Sequence, residues 1–127
     1  EKFIDDHRWA VITSLRKSGS PVSSVVAYAR DLDTLVVSTP GSTFKRASLQ
    51  KDPRVNLCIV SNAEPFNFVA IEGIAEVSKK DLVRKTKLVF EKIADMYEEP
   101  NPIEKWLDEQ DRVIIEISAS RVSGVIR

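Results

Sequence analysis

The sequence predicts a mainly β protein: a six-stranded antiparallel barrel, closed or nearly closed, with a few peripheral α-helices. Three observations carry this expectation. Segments rich in β-branched and aromatic residues recur between turns built from Gly, Pro, Ser and Asp. The helical patterns come late and singly instead of following each strand, which argues against repeating βαβ units. The 127 residues, 43% hydrophobic and 30% charged, fit one soluble domain over residues 1–127 with a modest core.

The first strand is "RWAVITSL" (8–15), and "RKSGSP" supplies the turn of a hairpin. The second, "PVSSVVAYAR" (21–30), runs to a turn at "DLD"; the third, "TLVVST" (34–39), ends before Pro40 and Gly41. A short helix then begins near Ser42, which Ser42 or Thr43 can cap. It stops at Asp52-Pro53, because proline disfavours helical geometry in the residue before it. "RVNLCIVS" forms a fourth strand and "NAEPFN" a loop. In "FVAIEGIAEV", the fifth strand, Val69, Ile71, Gly73, Ala75 and Val77 alternate onto one face. Ser78 and Asp81 resemble a capping box, and Leu82, Thr86, Val89, Ile93 and Tyr97 follow at helical spacing. "EEPNP" breaks that helix, "IEKWLDEQ" adds one or two helical turns, and "RVIIEISASRVSGVIR" is a long final strand whose candidate bend is "SAS". A small barrel leaves strands exposed, so a homodimer that buries one barrel face is expected.

Composition removes several functional classes. Lys+Arg and Asp+Glu balance at 19 each, so a general polyanion binder is excluded, no nucleic-acid partner is expected, and any anion site must be local. No run approaches the roughly 20 apolar residues that cross a bilayer, and "EKFIDDHRW" lacks a signal-peptide layout. A cytoplasmic location without membrane contact is the expectation. Cys58, the single cysteine, lies in "VNLCIV" and reads as core, as does Trp9; His7, the single histidine, reads as a surface residue, and no metal site is expected. The usual signatures of acyl transfer, nucleotide hydrolysis and dinucleotide binding are missing. The acids of "DEQD" and "YEE" read as solvated charge beside helix ends. Side chains that offer so little chemistry point to a bound cofactor as its source.

One stretch has the wrong sign. In "STPGSTFKRASLQKDPRV" (38–55), Lys45 and Arg46 stand in the first helical turn with no acid, where the helix dipole favours anions. Either both lie on a solvated helix face, or they meet an anion that is not part of the chain.

The strand ending in "ST", the loop, Lys45 in a short helix, "DPRVNLCI" and the later "IEGIAEV" together resemble the pyridoxamine phosphate oxidase-like flavin and deazaflavin oxidoreductases. The likeness runs from "RWAVITSLRKSGSPVSS" to "SRVSG", with Gly124 and Val125 where a tryptophan is often found. It implies a split β-barrel homodimer with two cofactor grooves at the subunit interface. By the same resemblance Ser38, Thr39, Ser42, Lys45 and Arg46 would hold a cofactor phosphate. Ser23, Val25 and Ala27, in "SSVVA", would line the ring system, and Trp106 and the "EPF" loop (64–66) would close the groove from the opposite subunit. The short chain lacks the longer arginine-rich C-terminal motif of a true pyridoxamine phosphate oxidase. It looks most like the actinobacterial branch that uses coenzyme F420, with FMN as the alternative cofactor. The oligoglutamate tail of F420 would call on Lys51, Arg54, Arg16 and Lys17. The implied activity is hydride transfer from reduced F420 to a conjugated organic acceptor, with noncatalytic cofactor binding or storage as the other reading.

Overall fold

The computed structural model describes residues 2–40, 44–61, 66–95 and 97–126, without the side chains of residues 44–46. Its elements are α1 (Lys2–Asp6), β1 (Trp9–Leu15), β2 (Pro21–Ala27), β3 (Ala29–Asp31), β4 (Thr34–Thr39), α2 (Phe44–Lys51), β5 (Arg54–Val60), β6 (Phe68–Ser78), α3 (Leu82–Ile93), α4 (Ile103–Glu109) and β7 (Val113–Val125). All strand pairs are antiparallel, in one sheet of order β2-β1-β5-β6-β7-β4-β3. The two ends of that order, β2 and β3, are consecutive in the chain, so the sheet curls until its edges come together and β2 approaches β4.

Among the described residues the sheet has seven strands, not six. "PVSSVVAYAR" divides at Tyr28, with β2 pairing to β1 and β3 to β4. Tyr28 is fully buried, and its hydroxyl donates to the carbonyls of Ile4 (2.6 Å) and His7 (2.8 Å). A buried phenol needs such acceptors, and satisfying them at this corner turns the chain from one sheet edge to the other.

The same corner holds α1, which the sequence pattern did not announce. Asp5 accepts two hydrogen bonds from Arg30 (2.9 and 2.8 Å), and Phe3 and Ile4 pack on the main core. His7 is half-buried instead of lying free on the surface: its Nδ1 meets the Phe3 carbonyl at 2.8 Å, and its ring stacks on Phe3. Lys92 reaches in from α3, donating to the Ile4 carbonyl at 3.0 Å with its ammonium 4.0 Å from the Tyr28 ring centroid. Burial pushes the Lys92 amine down to about 8, against an opposing pull from Asp5. In the unfolded chain it titrates near 10.5. Between these values the unfolded chain binds more protons than the folded one, so this group makes stability rise with pH from about 8 to 10.5. In urea titrations at about pH 7.5 and pH 10, Lys92→Gln is expected to show a smaller gain in midpoint than the wild type; an equal gain would contradict the assignment.

Inside the curl, Ile12, Leu57, Ile59, Ile71, Ile115 and Ile117 form the centre of the core. On β6 the alternation of Val69, Ile71, Gly73 and Ala75 inward is as the pattern predicts. The final strand is continuous, and its register slips opposite Glu72 and Gly73, passing over Ser120 of "SAS". The slip falls within the segment where the bend is expected, and an extra unpaired residue of this kind is a local source of curvature in a strand. Cys58 does not fill the core. On β5 the inward positions belong to Val55, Leu57 and Ile59, which leaves Cys58 half-buried on the outer face, where desolvation raises its thiol pKa. The capping box does not form either. Asp81 takes the N-cap of α3 with φ 52° and no side-chain cap bond, while Ser78 Oγ accepts from the Lys80 amide. The helix is held by packing instead: Val89 joins Ala29, Val36 and Ile114 in a second cluster, beside an ion pair at 2.7 Å between the buried Lys85 and the half-buried Glu116. Among the described residues no helix is long and apolar enough to cross a membrane.

Candidate functional site

Where β2 meets β4, α3 and α4 stand over the seam and leave an open cleft of about 320 Å³. Val25, Val26 and Ala27 of β2 form one wall, and Ser38, Thr39 and Pro40, at the end of β4, the other. The far side is aromatic. Trp9 meets Tyr97 edge-on with centroids 5.8 Å apart, and Phe90 meets Trp106 edge-on at 5.6 Å; all four line the cleft. Such walls suit a flat ring, with small side chains opposite so that it can approach the backbone closely.

The local sequence explains the placement. The face of α3 that reads as a core face, Thr86, Val89 and Ile93 followed by Tyr97, is the face that walls the cleft. Thr86 Oγ1 lies 3.5 Å from Ser38 Oγ, a contact that fixes α3 over the end of β4. Outward-facing positions on β1 pair with outward-facing positions on β2, so Trp9 sits opposite Ala27. Trp9 is therefore half-buried on the cleft wall and not in the core.

Among the described residues, one guanidinium lines this cleft, that of Arg112, just before β7. It lies 4.3 Å from the Trp106 ring centroid, donates from Nη1 to the Ser38 carbonyl (3.1 Å), and from Nε to Gln110 Oε1 (2.8 Å). Burial lowers its pKa from the usual value.

Of the residues expected at a cofactor site, the fold brings Val25, Ala27, Ser38, Thr39 and Trp106 to this one cleft. Trp106 reaches it from the same chain that supplies β2 and β4. Ser23 lies two residues along β2, exposed and hydrogen-bonded to Thr13 Oγ1 at 2.8 Å, outside the cleft lining. Lys45 and Arg46 occupy the first turn of α2 by their backbone, and Ser42 lies outside the described residues, as do Glu64 and Pro65 of the "EPF" loop. Phe66 is exposed.

Lys51 stands elsewhere. With Arg16 and Lys17 it lines a second pocket, of about 340 Å³, at the other end of β1. Trp9 and Leu15 mark the two ends of that strand, which puts the basic pocket roughly 20 Å from the cleft at the usual rise per residue. Arg54 joins neither, because Asp52 takes its guanidinium in a bidentate pair (3.0 and 2.7 Å).

A family model described as pyridoxamine 5'-phosphate oxidase matches residues 1–126. The chain belongs to that family. No curated protein matches the sequence. Among solved structures, the fold of this pyridoxamine 5'-phosphate oxidase family member resembles a conserved hypothetical protein of Mycobacterium tuberculosis. That match has TM-score 0.81 and 22% identity, over 97% of this chain and 79% of the other. It also resembles an F420 reductase (TM-score 0.78, 18% identity, 97% and 94% covered) and a FAD-binding protein from Mesorhizobium loti (0.70, 19%, 97% and 87%). At these identities the likeness is one of fold.

Within the family frame, the residues that motif reasoning missed are Trp9, Phe90, Tyr97, Thr86 and Arg112. The helical spacing of Thr86 and Tyr97 was a usable signal. Arg112 had none, since its partner Ser38 is 74 positions away.

Proposed function

We propose that the protein is an F420H2-dependent reductase that passes a hydride from reduced deazaflavin to a conjugated organic acceptor such as a quinone, enone or tetrapyrrole. The observation that supports it most is the convergence of Val25, Ala27, Ser38, Thr39 and Trp106 on one aromatic-walled cleft, whose β4 wall precedes the cationic first turn of α2 by only a few residues in sequence. The donor set suits a flat, phosphate-bearing cofactor. Val25, Ala27 and Trp106 would hold its ring, and Ser38 and Thr39, with Ser42, Lys45 and Arg46, its phosphate. When bound, the cofactor supplies the hydride, and the protein orients it and keeps water from the reacting face. No side chain of the cleft is needed as an acid beyond a hydroxyl or solvent.

The basic pocket favours F420 over FMN in this reading. Arg16, Lys17 and Lys51 lie roughly 20 Å along β1 from the cleft, a span that suits an extended anionic tail and exceeds the reach of a single ribityl phosphate. A homodimer completes the proposal. Val11, Cys58 and Ala70 stand in register across the outer face with the 69%-exposed Val25, an apolar row that a second copy would cover, and Val25 also edges the cleft.

Anaerobic mixing of the protein with F420H2 and a panel of quinones and enones tests the reaction. Cofactor oxidation above the protein-free rate is the expected result. Tight binding with no oxidation by any acceptor would favour storage of the cofactor instead.

A further inference from the structure

We propose that Arg112 makes the cleft selective for a planar ligand that carries a delocalised oxyanion, an aromatic carboxylate being the simplest case. The inference rests on the reading of the cleft as a site for a flat ring, and narrows it to a ligand class and a specificity-determining residue.

The charge of Arg112 is the first reason. Arg8, Arg30, Arg54 and Arg84 each pair with an aspartate. Arg112 does not: its two hydrogen bonds go to neutral acceptors, the Ser38 carbonyl and the Gln110 side-chain amide, and among the described residues no carboxylate pairs with it. A half-buried cation without a counter-ion is costly, and a bound oxyanion offsets that cost.

Geometry is the second. The two bonds use two of the guanidinium's five N–H donors. The indole of Trp106 at 4.3 Å and the backbone bond from Arg112 N–H to the Leu107 carbonyl at 2.9 Å hold the group against α4. A guanidinium fixed in this way meets a planar oxyanion with little further loss of freedom, and its fork matches a carboxylate in two-point contact. The surrounding cleft supplies apolar and aromatic surface to a ring and, among the described residues that line it, holds no other formal charge. Charge therefore distinguishes one flat ligand from another at this one residue.

Calorimetric titration with 2-naphthoate and 2-naphthamide, which share a ring system and differ in charge, tests this on wild type, Arg112→Gln and Arg112→Lys, with circular dichroism to check the fold. The expected result is that wild type prefers naphthoate by roughly tenfold or more, as a charge-assisted hydrogen bond implies. Arg112→Gln should lose the preference while still binding naphthamide, and Arg112→Lys should restore part of it. Absence of a preference in wild type, a preference kept in Arg112→Gln, an equal loss for both probes, or no binding of either probe would each overturn the proposal. FMN and F420 titrated against the same wild-type sample separate the two readings: if neither cofactor binds while the naphthoate preference holds, the cofactor assignment alone falls.

Discussion

Gly73→Ala is expected to destabilise the fold by about 2–3 kcal/mol, the range of an overpacked core site. On β6 Gly73 faces inward at the bulge, and a Cβ there would lie 2.4 Å from the Ser118 carbonyl oxygen and 3.1 Å from Ile117 Cγ2. Neither atom is the free end of a flexible side chain. The β7 backbone would have to move, and it carries both the core residues Ile115 and Ile117 and the ladder to β4. Because β4 ends in Ser38 and Thr39, the strain would pass toward the cleft. The exposed neighbour Ser120→Ala serves as the control, with a change within about 0.5 kcal/mol expected. Urea midpoints measure both, and a Gly73→Ala midpoint equal to that of the control would contradict the close approach.

Lys45→Ala is expected to weaken binding of FMN and of F420 alike by about 1.5–3 kcal/mol, roughly tenfold to a hundredfold, with the fold intact. The first turn of α2 contains no acid. Its amides and dipole already favour an anion, so a cation added there makes electrostatic sense chiefly when an anion is bound between them. Only three residues separate Pro40, on the cleft wall, from the first residue of α2. Fluorescence titration of wild type and variant provides the comparison, and unchanged affinity in a folded variant would remove the phosphate assignment.

What the sequence made legible was local. Alternation on β6 and the helical face of α3 are periodic signals, and both correspond to packed surfaces. The division at Tyr28 was not legible, because the residues on either side are equally good strand formers and only the choice of partner separates them. Helix α1 is five residues long and is held by Tyr28, Arg30 and Lys92, contacts at sequence distances of 24 to 88. The apolar run around Cys58 hid a period of two in which cysteine falls on the outer face. Ser78 and Asp81 had cap-like spacing, but the chain enters α3 through a left-handed Asp81, which leaves no side-chain cap.

The site divides in the same way. Ser38 and Thr39 at a strand end, and Val25 and Ala27 on an earlier strand, could be grouped by motif order, and the curled sheet brings them together. Lys51, Arg16 and Lys17 could be grouped by charge, yet Arg54, which belonged to that set by charge, is taken by its neighbour Asp52. Arg112 required the third dimension. It is separated from Trp106 by the end of α4 and a turn, and from Ser38 by most of the chain, so no window of sequence contains the arrangement.

The most direct test of the central claim is equilibrium binding of F420 and FMN to the purified protein, side by side, by fluorescence titration. Saturable binding with F420 the tighter of the two is expected, because the basic pocket of Arg16, Lys17 and Lys51 has a tail to meet in one cofactor and none in the other. Binding of neither cofactor would contradict it and leave the family's fold without the family's cofactor.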